Sequence, residues 1–161
     1  MPILICAISP AIVSRAQDGP ELRNWFNDPF FQISNAIPNC PVPAGPFITF
    51  AEKQTQAHHR AERGTTCWLA GKCKRPNAYE YDQDIAEDFK SAWAERSPFK
   101  NSTLWVTVQG RIIFIEGCVQ DRKWVRDIEK FALAVPNVEQ AVAFVYSDLS
   151  TNPPYKLLVL P

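Results

Sequence analysis

Imidazole is scarce in this chain. Its two histidines, His58 and His59, are adjacent, so a histidine general base or a histidine-bearing metal site has to be built within one short segment. Glycine is nearly as sparse: Gly64, Gly71 and Gly110 are isolated turn glycines and form no closely spaced set that could cradle a phosphate. No apolar run reaches the length of a bilayer-spanning helix, and there is no internal repeat or low-complexity tract. Formal net charge is zero, so no global field draws the chain to nucleic acid or to an anionic surface.

What is present suits a packed protein. Apolar residues make up 46% and charged residues 21% of the 161 positions, which lies outside the disordered regime and fits one domain, or one small domain with an elaborated flank. Charge is uneven along the chain. Phe47 to Asn77 carries six Lys or Arg against two Glu, whereas Ala78 to the end carries nine against twelve acids. An anionic partner would meet the middle segment first.

The first sixteen residues look like the end of a secretory signal. Ile3 to Val13 is a short apolar run, and Ser14-Arg15-Ala16 puts small residues where signal peptidase reads. A basic leader is missing and Pro10 interrupts the run, so a buried strand is the other reading. If the signal is removed, four of the five cysteines remain: Cys40, Cys67, Cys73 and Cys118. An even number in an exported chain reads as two disulfides.

Residues 17–81 form a cysteine-containing extension. Gln17 to Gly45 holds five prolines, so only Leu22 to Phe26 and Phe30 to Ile37 can make short helical turns, and Cys-Pro-Val-Pro must be extended. Its Trp25, Phe26, Phe30, Phe31 and Ile33 are too apolar to leave in water, which makes it a covering arm. Thr49 to Arg63 is a helix, with Thr49 and Glu52 at capping-box spacing and Gly64 as the stop. A tight loop closing between Cys67 and Cys73 follows.

From residue 82 to 146 a more regular unit appears. Asp82 or Asp84 caps a helix with Ile85, Phe89 and Trp93 on one face. Leu104, Val106 and Val108 share one side of a strand, and Gln109-Gly110 makes a hairpin turn. In the next strand Ile113, Ile115, Gly117 and Val119 share a side, while Ile112, Phe114, Glu116 and Cys118 take the other. Both sides are partly apolar, so the far face is expected to be covered by the arm. Asp121 caps a helix with Trp124, Val125, Ile128, Phe131, Ala132 and Val135 in one stripe. Pro136-Asn137 ends it and Val138 to Val145 is the last strand. Residues 147–161 are an extended tail, apolar enough to add a strand at a sheet edge.

This αββαβ order, with Ile113-x-Ile115-x-Gly117-x-Val119 and Asn137-Val138, resembles the BON domain over Asp84 to Val145. Family members more often have Gly-Val at the second position and a hairpin glycine one residue later. The resemblance implies an α+β fold, a mixed sheet with helices on one face, here covered by a disulfide-linked N-terminal extension. It also implies a periplasmic protein that contacts phospholipid, peptidoglycan or another envelope protein without catalysis or cofactor.

Cys67 and Cys73 lie close enough in sequence to bond across the loop. Cys118 faces the covered side of the sheet and Cys40 sits in the covering arm, so a second bond would staple arm to sheet. The alternative is a metal- or thiol-dependent enzyme using Cys67 and Cys73 with His58 or His59. Against it stand the long cysteine spacing, the roughly 100° between adjacent histidines on a helix, and the lack of a recognisable orienting acid. The basic residues Arg60, Arg63, Lys72, Lys74 and Arg75 form the candidate anion- or lipid-binding set, with Trp68 beside them as an interfacial side chain. Trp93, Trp105 and Trp124 read as core or half-core.

Overall fold

A computed structural model describes residues 21–159; the signal-like segment 1–16 lies outside the described residues. The protein is α+β, and among the described residues it has a four-stranded mixed sheet in the order β1-β2-β3-β4 and three α-helices. The strands are β1 (Phe30–Asn35), β2 (Ser102–Gln109), β3 (Ile112–Val119) and β4 (Gln140–Tyr146), and the helices are α1 (Phe50–Leu69), α2 (Asp82–Arg96) and α3 (Val125–Leu133). β2 runs antiparallel to both of its neighbours, β1 and β3, whereas β4 runs parallel to β3 through the α3 crossover.

The side-chain period of two sorts β2 and β3 into two faces. On one face Leu104, Val106, Val108, Ile113 and Ile115 are fully buried against Ile85, Phe89 and Trp93 of α2 and Ile128 and Ala132 of α3. Beneath them Phe131 packs edge-on against Phe89, Trp93 and Phe99. Burying a side chain such as Phe89 contributes roughly 2 to 3 kcal/mol by area removed from water.

Gly117 has a specific reason to be glycine. Its φ of 140° is closed to L side chains, and a Cβ there would lie 2.1 Å from the Thr103 carbonyl oxygen across the β2–β3 pair. The two-residue hairpin turn is Gly110-Arg111, both left-handed at φ 58° and 69°, the type I′ geometry that matches strand twist. This corrects the expected Gln109-Gly110 turn by one residue, since Gln109 pairs with Ile112. Arginine tolerates the left-handed position because Asp82 accepts from both turn amides, Gly110 N at 2.6 Å and Arg111 N at 2.7 Å.

Asp82 is therefore not the helix cap, and neither is Asp84, contrary to expectation. Asn77 caps a 3-10 turn over Ala78–Tyr81 that leads into α2, whose own N-cap, Tyr81, makes no side-chain capping bond. Asp121 likewise caps a 3-10 turn, Arg122–Trp124, ahead of α3.

The arm departs from the sequence reading at β1. Phe30 to Asn35 is a strand, not a helical turn, pairing with β2 from Phe30↔Thr107 to Asn35↔Thr103 with a bulge between Gln32 and Ser34. Beyond it the arm crosses the far face: Cys40 is bonded to Cys118, Pro43 is fully buried, and Gly45 and Pro46 lie over Thr107, Gln109, Phe114 and Glu116. Among the described residues the C-terminal tail adds no strand at a sheet edge, contrary to expectation. Leu157 instead pairs with Pro43 of the arm, with Ala44 N donating to Lys156 O and Leu158 N to Val42 O.

Helix α1 has the expected capping box, Thr49 Oγ1 accepting from Glu52 N while Glu52 accepts from Thr49 N. It does not stop at Gly64. Gly64 is buried in mid-helix with the Asn77 amide where a Cβ would go, 2.8 Å away, so this glycine serves close packing. α1 flanks the hairpin end of the sheet and covers neither face. Arg60 reaches Asp28, which also accepts from Gln109, and Arg63 donates to the Gly110 carbonyl.

Candidate anion-binding site

Both expected disulfides are present. Cys67 and Cys73 join with Cα atoms 5.3 Å apart, and Cys40 and Cys118 with Cα atoms 5.9 Å apart. Cys67 lies in the last turn of α1, so the bond folds Ala70 to Lys72 back as a fixed knob at the helix end, with Gly71 left-handed at φ 67°. Trp68 and Leu69 stand on this knob, 47% and 79% exposed, where an apolar pair needs a reason to face outward.

The five basic candidates separate in three dimensions. Arg60 is withdrawn from any surface site: it is buried between the Phe26 and Tyr79 rings, 4.0 and 4.2 Å from their centroids, and bidentate to Asp28. The sequence reading placed it with the outward basic side because periodicity alone cannot say which cation has a buried acid waiting. Arg75 is half committed, paired with Asp84 and laid over the Tyr81 ring. Lys72 and Lys74 are exposed on the knob.

Arg63 and Lys72 meet at a cavity of about 400 Å³ between α1 and the hairpin end. His59, Glu62, Thr66 and Cys67 of α1 form one wall, and Gly110 and Glu139 the other. The Arg63 guanidinium is loosely held, 3.3 Å from Gly110 O and 3.9 Å from Glu139, and its buried Nε has no hydrogen-bond partner. An oxyanion entering here would find Arg63, Lys72 and His59 as donors, with Glu62 and Glu139 at the rim restricting it to ligands that also carry a positive or hydrogen-bond-donating part. Gly110 and Glu139 were invisible as site residues in the sequence, because the sheet brings them to α1 from far along the chain.

No protein-family model matches the chain, and neither the curated proteins nor the solved structures contain a significant match. The site has to be read from its own chemistry.

The histidines diverge as helical geometry requires. His59 lines the cavity, while His58 turns to solvent with Nε2 3.2 Å from Glu62. The enzyme alternative needs a thiolate at Cys67 or Cys73, and both sulfurs are held in one bond. Among the described residues no three His, Cys, Asp or Glu side chains converge as a metal site.

Other polar groups lie deeper. Burial pushes the Asp82 carboxyl up to about 6, opposed by the two turn amides and the Arg60 charge. On the far face burial alone pushes Glu116 up to about 7. The Tyr155 hydroxyl, which donates to Pro41 O, is also raised, first by burial and then by Tyr146.

Proposed function

We propose that this protein is a non-enzymatic envelope-binding module that contacts an anionic phospholipid surface through the end of α1. One observation carries the reading: Trp68 and Leu69 are exposed on a disulfide-fixed knob that also displays Lys72 and Lys74. An aromatic and an aliphatic side chain enter the interfacial region of a bilayer, and each lysine near an anionic surface adds about 1 kcal/mol. The bond between Cys67 and Cys73 pre-pays the ordering of the knob, so little conformational entropy is lost on contact.

The succession α2, β2, β3, α3, β4 supports the BON-like reading and with it an extracytoplasmic role. Two disulfides are compatible with an oxidising compartment such as the periplasm. Among the described residues no helix is long and apolar enough to cross a membrane, and the proposed contact is peripheral.

Co-sedimentation with vesicles of phosphatidylglycerol and phosphatidylcholine tests this. Binding to the anionic vesicles is expected to fall about thirtyfold in the Lys72→Gln, Lys74→Gln double variant, from about 1 kcal/mol per charge. Trp68→Ala should weaken it independently of salt. Equal recovery with neutral and anionic vesicles, or no recovery with either, rejects the proposal.

A further inference from the structure

A second site lies on the opposite side of the molecule from the sheet's helices. Gly45 and Pro46 roof a cavity of about 190 Å³ whose floor is Thr107 and Gln109 of β2 with Phe114 and Glu116 of β3. Thr107 is 6% exposed and its hydroxyl has no hydrogen-bond partner. Glu116 is half-buried opposite Trp105 and Phe144 in the sheet, where burial raises its carboxyl and its charge in turn helps raise the nearby Tyr155 hydroxyl. Buried polar groups in a folded protein are nearly always satisfied, and a desolvated carboxylate without a partner costs several kcal/mol. An orphaned buried hydroxyl beside a half-buried carboxylate on one cavity marks a place where a partner comes from outside.

The roof is built to keep its shape. Gly45 sits at φ 53° with the Phe30 ring where a Cβ would go, Ala44 N is bonded to Lys156 O, and the Cys40–Cys118 bond anchors the arm nearby. Lys156 is the cation nearest in the tail, yet it sends its ammonium to Glu52, 3.5 Å away. Gln109 is oriented by donating to Asp28, which leaves its amide oxygen as an acceptor. The Phe114 ring supplies an aromatic wall suited to a cation.

We propose that this cavity binds the primary ammonium end of a short unbranched amine, with Glu116 as counter-ion, the Thr107 hydroxyl as a further acceptor and Phe114 against the alkyl chain. A neutral donor such as an alcohol would not supply the missing charge. The ammonium holds Glu116 in its ionised form, so binding releases a proton near neutral pH, where the free carboxyl is half protonated at about 7.

The test is amide-resolved NMR titration of the intact oxidised protein with n-butylammonium, and with n-butanol as the neutral isostere. Saturable shifts at Thr107, Gln109, Phe114 and Glu116 with the amine alone are expected. Glu116→Gln should weaken binding at least about tenfold and Thr107→Val about fivefold, the latter from one lost hydrogen bond of about 1 kcal/mol. Following the Glu116 side-chain carbonyl in the unaltered protein keeps the test independent of any variant's folding: its midpoint should drop when amine is present. Nα-acetyl-lysine amide, run beside the free amine, separates a lysine side chain from a free amine as the source, because its backbone must clear Gly45 and Pro46. Identical shifts with butanol, an unmoved Glu116 midpoint, or undiminished binding by Glu116→Gln would overturn the proposal.

Discussion

The two faces of the sheet are held by different physics. Toward α2 and α3, side chains of strict alternation close a dry core in which Phe89, Ile85, Leu104, Ile113 and Ile115 are fully buried. Toward the arm, the same strands present Thr103, Thr107, Glu116 and Cys118, and the cover is a proline-rich segment secured by one disulfide and a few backbone bonds. Dispersion and apolar burial make the first face stable without help. The second trades some of that stability for polar groups beneath a cross-linked lid, which leaves a cavity lined by Thr107 and Glu116 there.

The largest disruption should come where both faces depend on one backbone contact. Gly117→Val places a side chain on the Thr103 carbonyl, and a loss of about 4 kcal/mol or more, or failure to fold, is expected by urea denaturation. Next, Cys40→Ala with Cys118→Ala opens a closure of 78 residues, worth about 4.5 kcal/mol in the chain-entropy model. Protease sensitivity of the arm should rise in that variant while α2 and α3 stay protected. Phe89→Ala should cost about 4 kcal/mol, while Phe114→Ala, on the covered side, should cost less than half as much. Equal costs for the two phenylalanines would erase the contrast between the faces. Opening the short Cys67–Cys73 loop should cost only about 2 kcal/mol, with vesicle binding affected more than the denaturation midpoint.

The smallest effect is a pH slope. Glu116 titrates at about 7 folded against 4.5 for an ordinary glutamate, and Asp82 at about 6 against 3.8. A folded state that holds its protons more tightly than the unfolded one loses stability as pH rises. Stability should therefore fall from about pH 4 to pH 7 and level off above. Glu116→Gln should flatten the upper part of that slope and raise the melting temperature at pH 8 by a few degrees. A slope unchanged by Glu116→Gln would place the buried charge elsewhere.

Parts of the candidate sites were legible and parts were not. The apolar stripe of α3 and the alternation in β3 named their buried residues, and the alternation put Cys118 on the face that Cys40 reaches. Lys72 could be named as a candidate, but not the cavity it lines together with Glu139. Arg60 looked like its neighbours because nothing in its local spacing reveals Asp28, 32 residues away.

Local order was written in the chain itself: periods of 3.6 and two, the Thr49–Glu52 capping box, the prolines that keep residues 41–43 extended, and the face of the strand on which Cys118 sits. Those signals act between near neighbours or through a face that alternation defines. Tertiary structure alone decided that Phe30–Asn35 is a strand, that Gly64 lies within a helix, that the tail pairs with the arm, and that Asp82 holds a hairpin turn. Each depends on a partner distant in sequence, whose hydrogen bonds or packing outweigh a local propensity worth only a fraction of a kcal/mol to about 1 kcal/mol per residue.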